Sequence, residues 1–156
     1  MDYIPIPSSE RLARSFSIEL DFVIGGAFFA AAHCVAVGLY LRNLHKRPSP
    51  TQKLVGAALL IGTPLVSYIL SGDAQIAFYA GFLGAMASAA WMSHYPRYRV
   101  GTGAVLFVLS DWLIFARMGP FDLAPLPDLL IWPLYYAGQF LIVTGVVRTL
   151  RTDHQA

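Results

Sequence analysis

The sequence predicts an all-α membrane protein, with about five transmembrane helices in one bundle. Three observations predict it. Of 156 residues, 56% are hydrophobic and only 13% charged, against about 25% charged in an ordinary soluble domain. The apolar residues gather into five runs: Phe22–Leu41, Leu54–Leu70, Ile76–Met92, Val100–Phe115 and Leu129–Val147. These runs lack the polar stripe that a helix on the surface of a soluble protein carries.

The first element, residues 1–17, is expected as a polar leader. It holds Pro5, Pro7, Glu10, Arg11 and Arg14 and has no apolar core, so it does not read as a secretory signal. Residues 18–148 are expected as a single transmembrane domain, and 149–156 as a cytoplasmic tail.

Crossing the hydrocarbon core takes roughly 17–25 helical residues. The first and fifth runs satisfy this with ease. The second and third are minimal, and the fourth needs a residue or two from its flanks. Pro64 in the second run and Pro133 in the fifth predict a kink or a broken turn. Gly25, Gly26, Gly81, Gly84, Ala85 and Ala89 are small enough to let helices approach closely. The connection from Arg117 to Asp128 is Pro-rich and is expected as a rigid, non-helical cap.

The connections carry almost all the charge. Arg42, Lys46, Arg47, Lys53, Arg97, Arg99, Arg148 and Arg151 fall on one side, and Arg11, Arg14 and Arg117 on the other. The positive-inside rule then puts the N-terminus outside and the C-terminus in the cytoplasm. The expected location is a cell membrane crossed several times, the bacterial inner membrane or its equivalent. No basic patch is interleaved with aromatics, so nucleic acid is not an expected partner. The single cysteine, Cys34, excludes an intrachain disulfide. No Cys or His pair has metal-ligand spacing, and neither a metal nor a cofactor is expected. The absence of an inverted repeat argues against a proton-coupled carrier.

Asp111 is the most informative residue. A carboxylate at mid-bilayer costs roughly 2.5–3.5 kcal/mol on insertion scales. Such a group is paired, faces a bundle interior, or does chemistry. Counted from the helix midpoints, Asp111, His33, Tyr135, Tyr136 and Gln139 share a layer about 8–9 Å thick. Tyr79 and Tyr68 lie nearer the outer side and line its approach. A protonated carboxyl there could act as a general acid. Each residue also has a plainer reading. Asp111 could join helices, His33 could be a satisfied core histidine, and the tyrosines and Gln139 could serve packing. Trp91, Trp112 and Trp132 fit an aromatic belt.

Two segments carry a resemblance. Gly103-Ala-Val-Leu-Phe-Val-Leu-Ser110-Asp111, followed by Tyr135-Tyr-Ala-Gly-Gln-Phe-Leu-Ile142, resembles the lysoplasmalogenase-like (YhhN) family of polytopic membrane proteins. Weaker matches are Phe22 to His33, and Ile76-Ala-Phe-Tyr79 with Met86. The resemblance covers about residues 22–147. It implies hydrolysis of the vinyl ether bond of a lysoplasmalogen, giving a fatty aldehyde and a glycerophospho-base. It implies that Asp111 matches one of two family acidic residues tied to activity; beside it, Tyr136, Gln139 and His33 are expected as catalytic residues that orient water or a headgroup, with Ser110, Tyr135 and Tyr79 lining the substrate. The partners implied are a lysophospholipid-type substrate and membrane lipids.

The family has about eight helices and a second acidic residue in an upstream Gly-Asp motif. This chain has Glu10-Arg-Leu-Ala at that place, with Glu19 and Asp21 as the nearest substitutes. The expectation is therefore the C-terminal five helices of such a protein, holding half of a two-carboxylate site. A chain inactive alone fits that expectation too. So does a non-catalytic lipid-binding or assembly protein derived from the same family. A homo-oligomer that closes the polar layer is also left open.

Overall fold

The structure is a computed structural model. It describes residues 8–153, with side chains from 24 to 152. Five α-helices follow one another: α1 (Ser8–Arg42), α2 (Pro50–Ser71), α3 (Ala74–Met92), α4 (Thr102–Met118) and α5 (Leu126–Asp153). A single π turn, Arg97–Gly101, leads into α4.

The helix limits follow from local chemistry. α1 begins at Ser8, inside the segment expected as a leader. No Gly or Pro lies between Ser8 and Phe22, and Glu10 to Ala13 are good helix formers. The side chains of Arg11, Arg14, Glu19 and Asp21 lie outside the described residues. α2 starts four residues before its apolar run because Ser49 caps it. The Gln52 amide donates to the Ser49 hydroxyl at 3.2 Å, and the Ser49 amide donates back to the Gln52 side chain at 2.8 Å. Pro50 follows at a position where its missing N–H costs nothing. α2 ends at Gly72, whose φ of 71° suits a residue without Cβ. Asp73 then caps α3, accepting from the Gln75 amide at 2.7 Å. α2 and α5 run unbroken through Pro64 and Pro133.

Among the described residues, four segments are long and apolar enough to cross a membrane: Ile24–Arg42, Pro50–Ser71, Arg97–Met118 and Leu126–Thr152. The π turn gives the fourth expected span its missing length. α3, expected as a span of its own, is a helix but does not join these four. Its composition explains its place. Rich in alanine and glycine, it buries Ala80, Leu83, Gly84, Met86, Ala87, Ala89 and Ala90 at the centre of the bundle.

α2, α3 and α4 pack on one another as a central trio; α1 lies along α3 and α5 along α4. Among the described residues, the backbones of α1 and α5 do not come together. In lipid, helices associate through close packing and hydrogen bonds rather than through burial of apolar surface. Glycines permit that packing here. A Cβ at Gly84 would stand 2.8 Å from the Leu59 carbonyl oxygen of α2. A Cβ at Gly103 would stand 2.7 Å from the Gly138 carbonyl oxygen, and one at Gly138 would stand 2.8 Å from that of Gly103. The two segments that carry the sequence resemblance thus lie face to face.

At one end of the bundle, the α1–α2 connection and the segment after α3 are joined. The His94 amide donates to the Asn43 carbonyl at 2.6 Å, and the His45 amide to the Met92 carbonyl at 3.2 Å. This end carries Arg42, Lys46, Arg47, Lys53, Arg97, Arg99, Arg148 and Arg151. The opposite end carries Asp73, Asp122, Asp128 and Arg117 among the described residues. There Arg117 meets Asp128 at 3.3 Å, in an exposed pair.

A candidate polar site inside the bundle

Three helices bring one titratable side chain each to a common point. α1 turns His33 inward, on the same side as Tyr40, seven residues later. Seven residues are almost two full turns, so both face α3, and both are buried. α3 supplies Tyr79, whose hydroxyl lies 3.4 Å from His33 Nε2. α4 supplies Asp111, only 6% exposed. Its carboxyl is within side-chain hydrogen-bonding reach of the Tyr79 hydroxyl. Tyr79 therefore stands between the imidazole and the carboxyl.

Aromatic rings enclose the group. Phe107 lies four residues before Asp111 and on its face of α4. It sets its edge against His33, with ring centres 5.6 Å apart, and meets Tyr135 of α5 at 5.3 Å. Phe115, one turn beyond Asp111, meets Tyr79 at 6.1 Å. Phe29 flanks His33 from the preceding turn of α1 at 6.2 Å. These rings keep the polar atoms away from bulk water and leave them few partners other than each other.

Hydrogen bonds to neighbouring helices fix the rotation of α4. The buried Ser110 hydroxyl donates to the Ile131 carbonyl of α5 at 3.1 Å. On the other side, the Trp112 indole N–H donates to the Thr63 carbonyl of α2 at 3.4 Å. Asp111 is between these two residues in sequence. With α4 held from both sides, its carboxyl faces Tyr79.

His33, Tyr79, Asp111 and Tyr135 are thus gathered in one place. Ser110 is adjacent, but its hydroxyl is engaged with α5. Gln139 is half-buried one turn beyond Tyr135 and has no hydrogen bond to the group among the described residues. Tyr136 is 64% exposed and stacks on Trp132 at 5.8 Å, on the outside of α5. Tyr68 is exposed as well. Sequence reasoning missed Phe107 and the bond made by Trp112. Phe107 was open to discovery, because i−4 spacing from an intramembrane acid marks a neighbour on its face. The Trp112 bond had no such signal, since its acceptor is a backbone carbonyl on another helix.

Chemically, the arrangement is a carboxyl acid beside a phenol and an imidazole in a largely apolar enclosure. It suits the donation of a proton to a substrate carbon or oxygen. The YhhN family model matches residues 13–146 of the chain. No curated protein and no solved structure matches it.

Proposed function

We propose a function from one premise: this chain belongs to the YhhN family. It is a multi-pass integral membrane hydrolase that cleaves the vinyl ether bond of a lysoplasmalogen-type lipid. The basic end of the bundle faces the cytoplasm, as the positive-inside rule requires. The observation that carries the reading is the convergence of His33, Tyr79 and Asp111 from three helices.

The reaction needs an acid first. Asp111 transfers its proton to the alkene carbon remote from the ether oxygen, and the π electrons form the new C–H bond. Positive charge is then shared between the ether oxygen and the carbon attached to it. The Asp111 carboxylate, now charged, stabilises that cation. A similar demand is met by carboxyl pairs in glycoside hydrolysis. Water adds to the cationic carbon and gives up a proton to Asp111, which restores the acid. In the hemiacetal so formed, the hydroxyl proton moves to the glycerol oxygen as the carbon–oxygen bond breaks. A fatty aldehyde and a glycerophospho-base leave.

Tyr79 positions the Asp111 carboxyl, and His33 accepts a hydrogen bond from the attacking water or from Tyr79. Tyr135 and Phe107 line the reacting part of the chain. Ser110 and Trp112 hold α4 and take no part in the chemistry. Tyr136, on the outer face of α5, meets lipid.

The test is aldehyde release from a lysoplasmalogen by the purified full chain in detergent, run in D2O. Protonation at carbon predicts one deuterium on the α carbon of the aldehyde. Release of unlabelled aldehyde would contradict the mechanism. No release beyond a mock preparation would contradict the function, and would favour a non-catalytic lipid-binding protein.

A further inference from the structure

A second feature lies away from this site, at the basic end. Val35, Gly38, Leu39 and Arg42 of α1 line an open cavity of about 650 Å3, together with Asn43 and with Leu150 of α5. Small-molecule and lipid sites commonly span about 300–1,000 Å3. The four α1 residues stand at i, i+3, i+4 and i+7 and so form one stripe of the helix. The stripe is apolar from Val35 to Leu39 and ends in a cation, because Arg42 is the last residue of α1. Asn43 is fixed at the rim by donating to the Leu39 carbonyl at 2.8 Å. On α5, Leu150 is bracketed by Arg148 and Arg151. Among the described side chains, no acidic residue lines the cavity.

An apolar wall about 10 Å long ending in a guanidinium has the order of a phospholipid: acyl chain first, phosphate last. A guanidinium also matches phosphate oxygens better than a bare ammonium, since it can bind two at once. We propose that this cavity holds an anionic phospholipid of the surrounding bilayer, with its phosphate on Arg42 and its upper acyl chain along Val35, Leu39 and Leu150.

The lipid is not the substrate of the polar site. Arg42 follows His33 by nine residues, two and a half turns, so the two point to opposite sides of α1 and lie about 13 Å apart along it. The proposal needs only that the chain sits in a bilayer, and it stands or falls independently of hydrolase activity.

Native mass spectrometry of the full chain in mild detergent tests it. The probes are phosphatidylglycerol, phosphatidylcholine and inorganic phosphate. The expected result is one retained phosphatidylglycerol per chain, at least fivefold preferred over phosphatidylcholine. Arg42→Gln should reduce retention at least fivefold. Lys53→Gln removes a cation from the same end but outside the cavity, and should leave retention unchanged.

Gly38→Leu provides a second variant. A Cβ at Gly38 meets nothing within 4 Å, so the new side chain fills the cavity without disturbing the fold. It too should reduce retention at least fivefold, and it decides the matter if Arg42→Gln does not fold. Equal losses in Lys53→Gln and Arg42→Gln would overturn the proposal in favour of diffuse charge. So would full displacement by inorganic phosphate, retention unchanged in Gly38→Leu, or a dimer that excludes lipid.

Discussion

His33 Nε2 and the Tyr79 hydroxyl stand 3.4 Å apart, across two helices and inside a shell of aromatic rings. The same hydroxyl reaches the Asp111 carboxyl on a third helix. In the proposed reaction, a phenol in this position orients the acid. Tyr79→Phe keeps the ring and its contact with Phe115 and removes only the oxygen. Aldehyde release should fall by roughly 10–100-fold, less than the roughly 10²–10⁴-fold lost with a group that itself transfers the proton. Tyr136→Phe removes the oxygen of an exposed tyrosine and should leave turnover unchanged. Assays of the two variants under identical conditions separate the effects.

The crossing of α4 and α5 depends on the absence of side chains at Gly103 and Gly138. A Cβ at either meets a carbonyl oxygen of the other helix at under 3 Å, and backbone cannot turn aside as a flexible side chain can. Gly103→Leu should lower stability by about 1–3 kcal/mol, the usual cost of overpacking. Gly62→Ala adds a methyl group where nothing lies within 4 Å and should be silent. Thermal unfolding in detergent, read by loss of helical circular dichroism, checks both.

Trp112 ties α4 to α2 through one indole hydrogen bond to the Thr63 carbonyl. Trp112→Phe keeps an aromatic ring and loses the donor. A net hydrogen bond contributes about 0.5–1.5 kcal/mol, so stability should fall by that order. Ser110→Ala should have a similar effect on the α5 side. If both bonds serve to aim Asp111, the double variant should lose more turnover than the two single losses combined. A multiplicative result in the aldehyde assay would show that the two bonds do not act together.

The capping box at the start of α2 gives a prediction unrelated to chemistry. Ser49→Ala removes the hydroxyl that accepts from the Gln52 amide. N-cap serines replaced by alanine cost typically about 1 kcal/mol. The unfolding midpoint should drop accordingly while turnover per folded molecule stays the same.

The five helices were legible because hydropathy and turn residues act locally. Their starts were less so. α2 and α3 begin with polar caps, Ser49 and Asp73, which an apolar run does not include. α1 continues back to Ser8 because helix propensity does not require apolar residues. α3 reads as a span by length, yet its alanines and glycines suit the middle of a bundle more than contact with lipid.

At the site, depth could be counted along each helix, and that placed His33, Asp111 and Tyr135 at one level. Rotation could not be counted in this way. Adjacent residues on a helix point about 100° apart. Tyr135 therefore faces Phe107 while Tyr136 faces outward, although both lie at nearly the same depth. The acceptors of Ser110 and Trp112 are backbone carbonyls, which every residue has, so no sequence pattern marks them.

In the proposed function, Asp111 is the acid of a vinyl ether hydrolase. The decisive comparison is aldehyde release from a lysoplasmalogen by the purified wild-type chain and by Asp111→Asn, each confirmed as folded by its circular dichroism. Asparagine keeps the shape of the side chain but cannot give up a proton to carbon. The expected result is release by the wild type and a loss of at least about 100-fold in the variant. Equal release by both would contradict it.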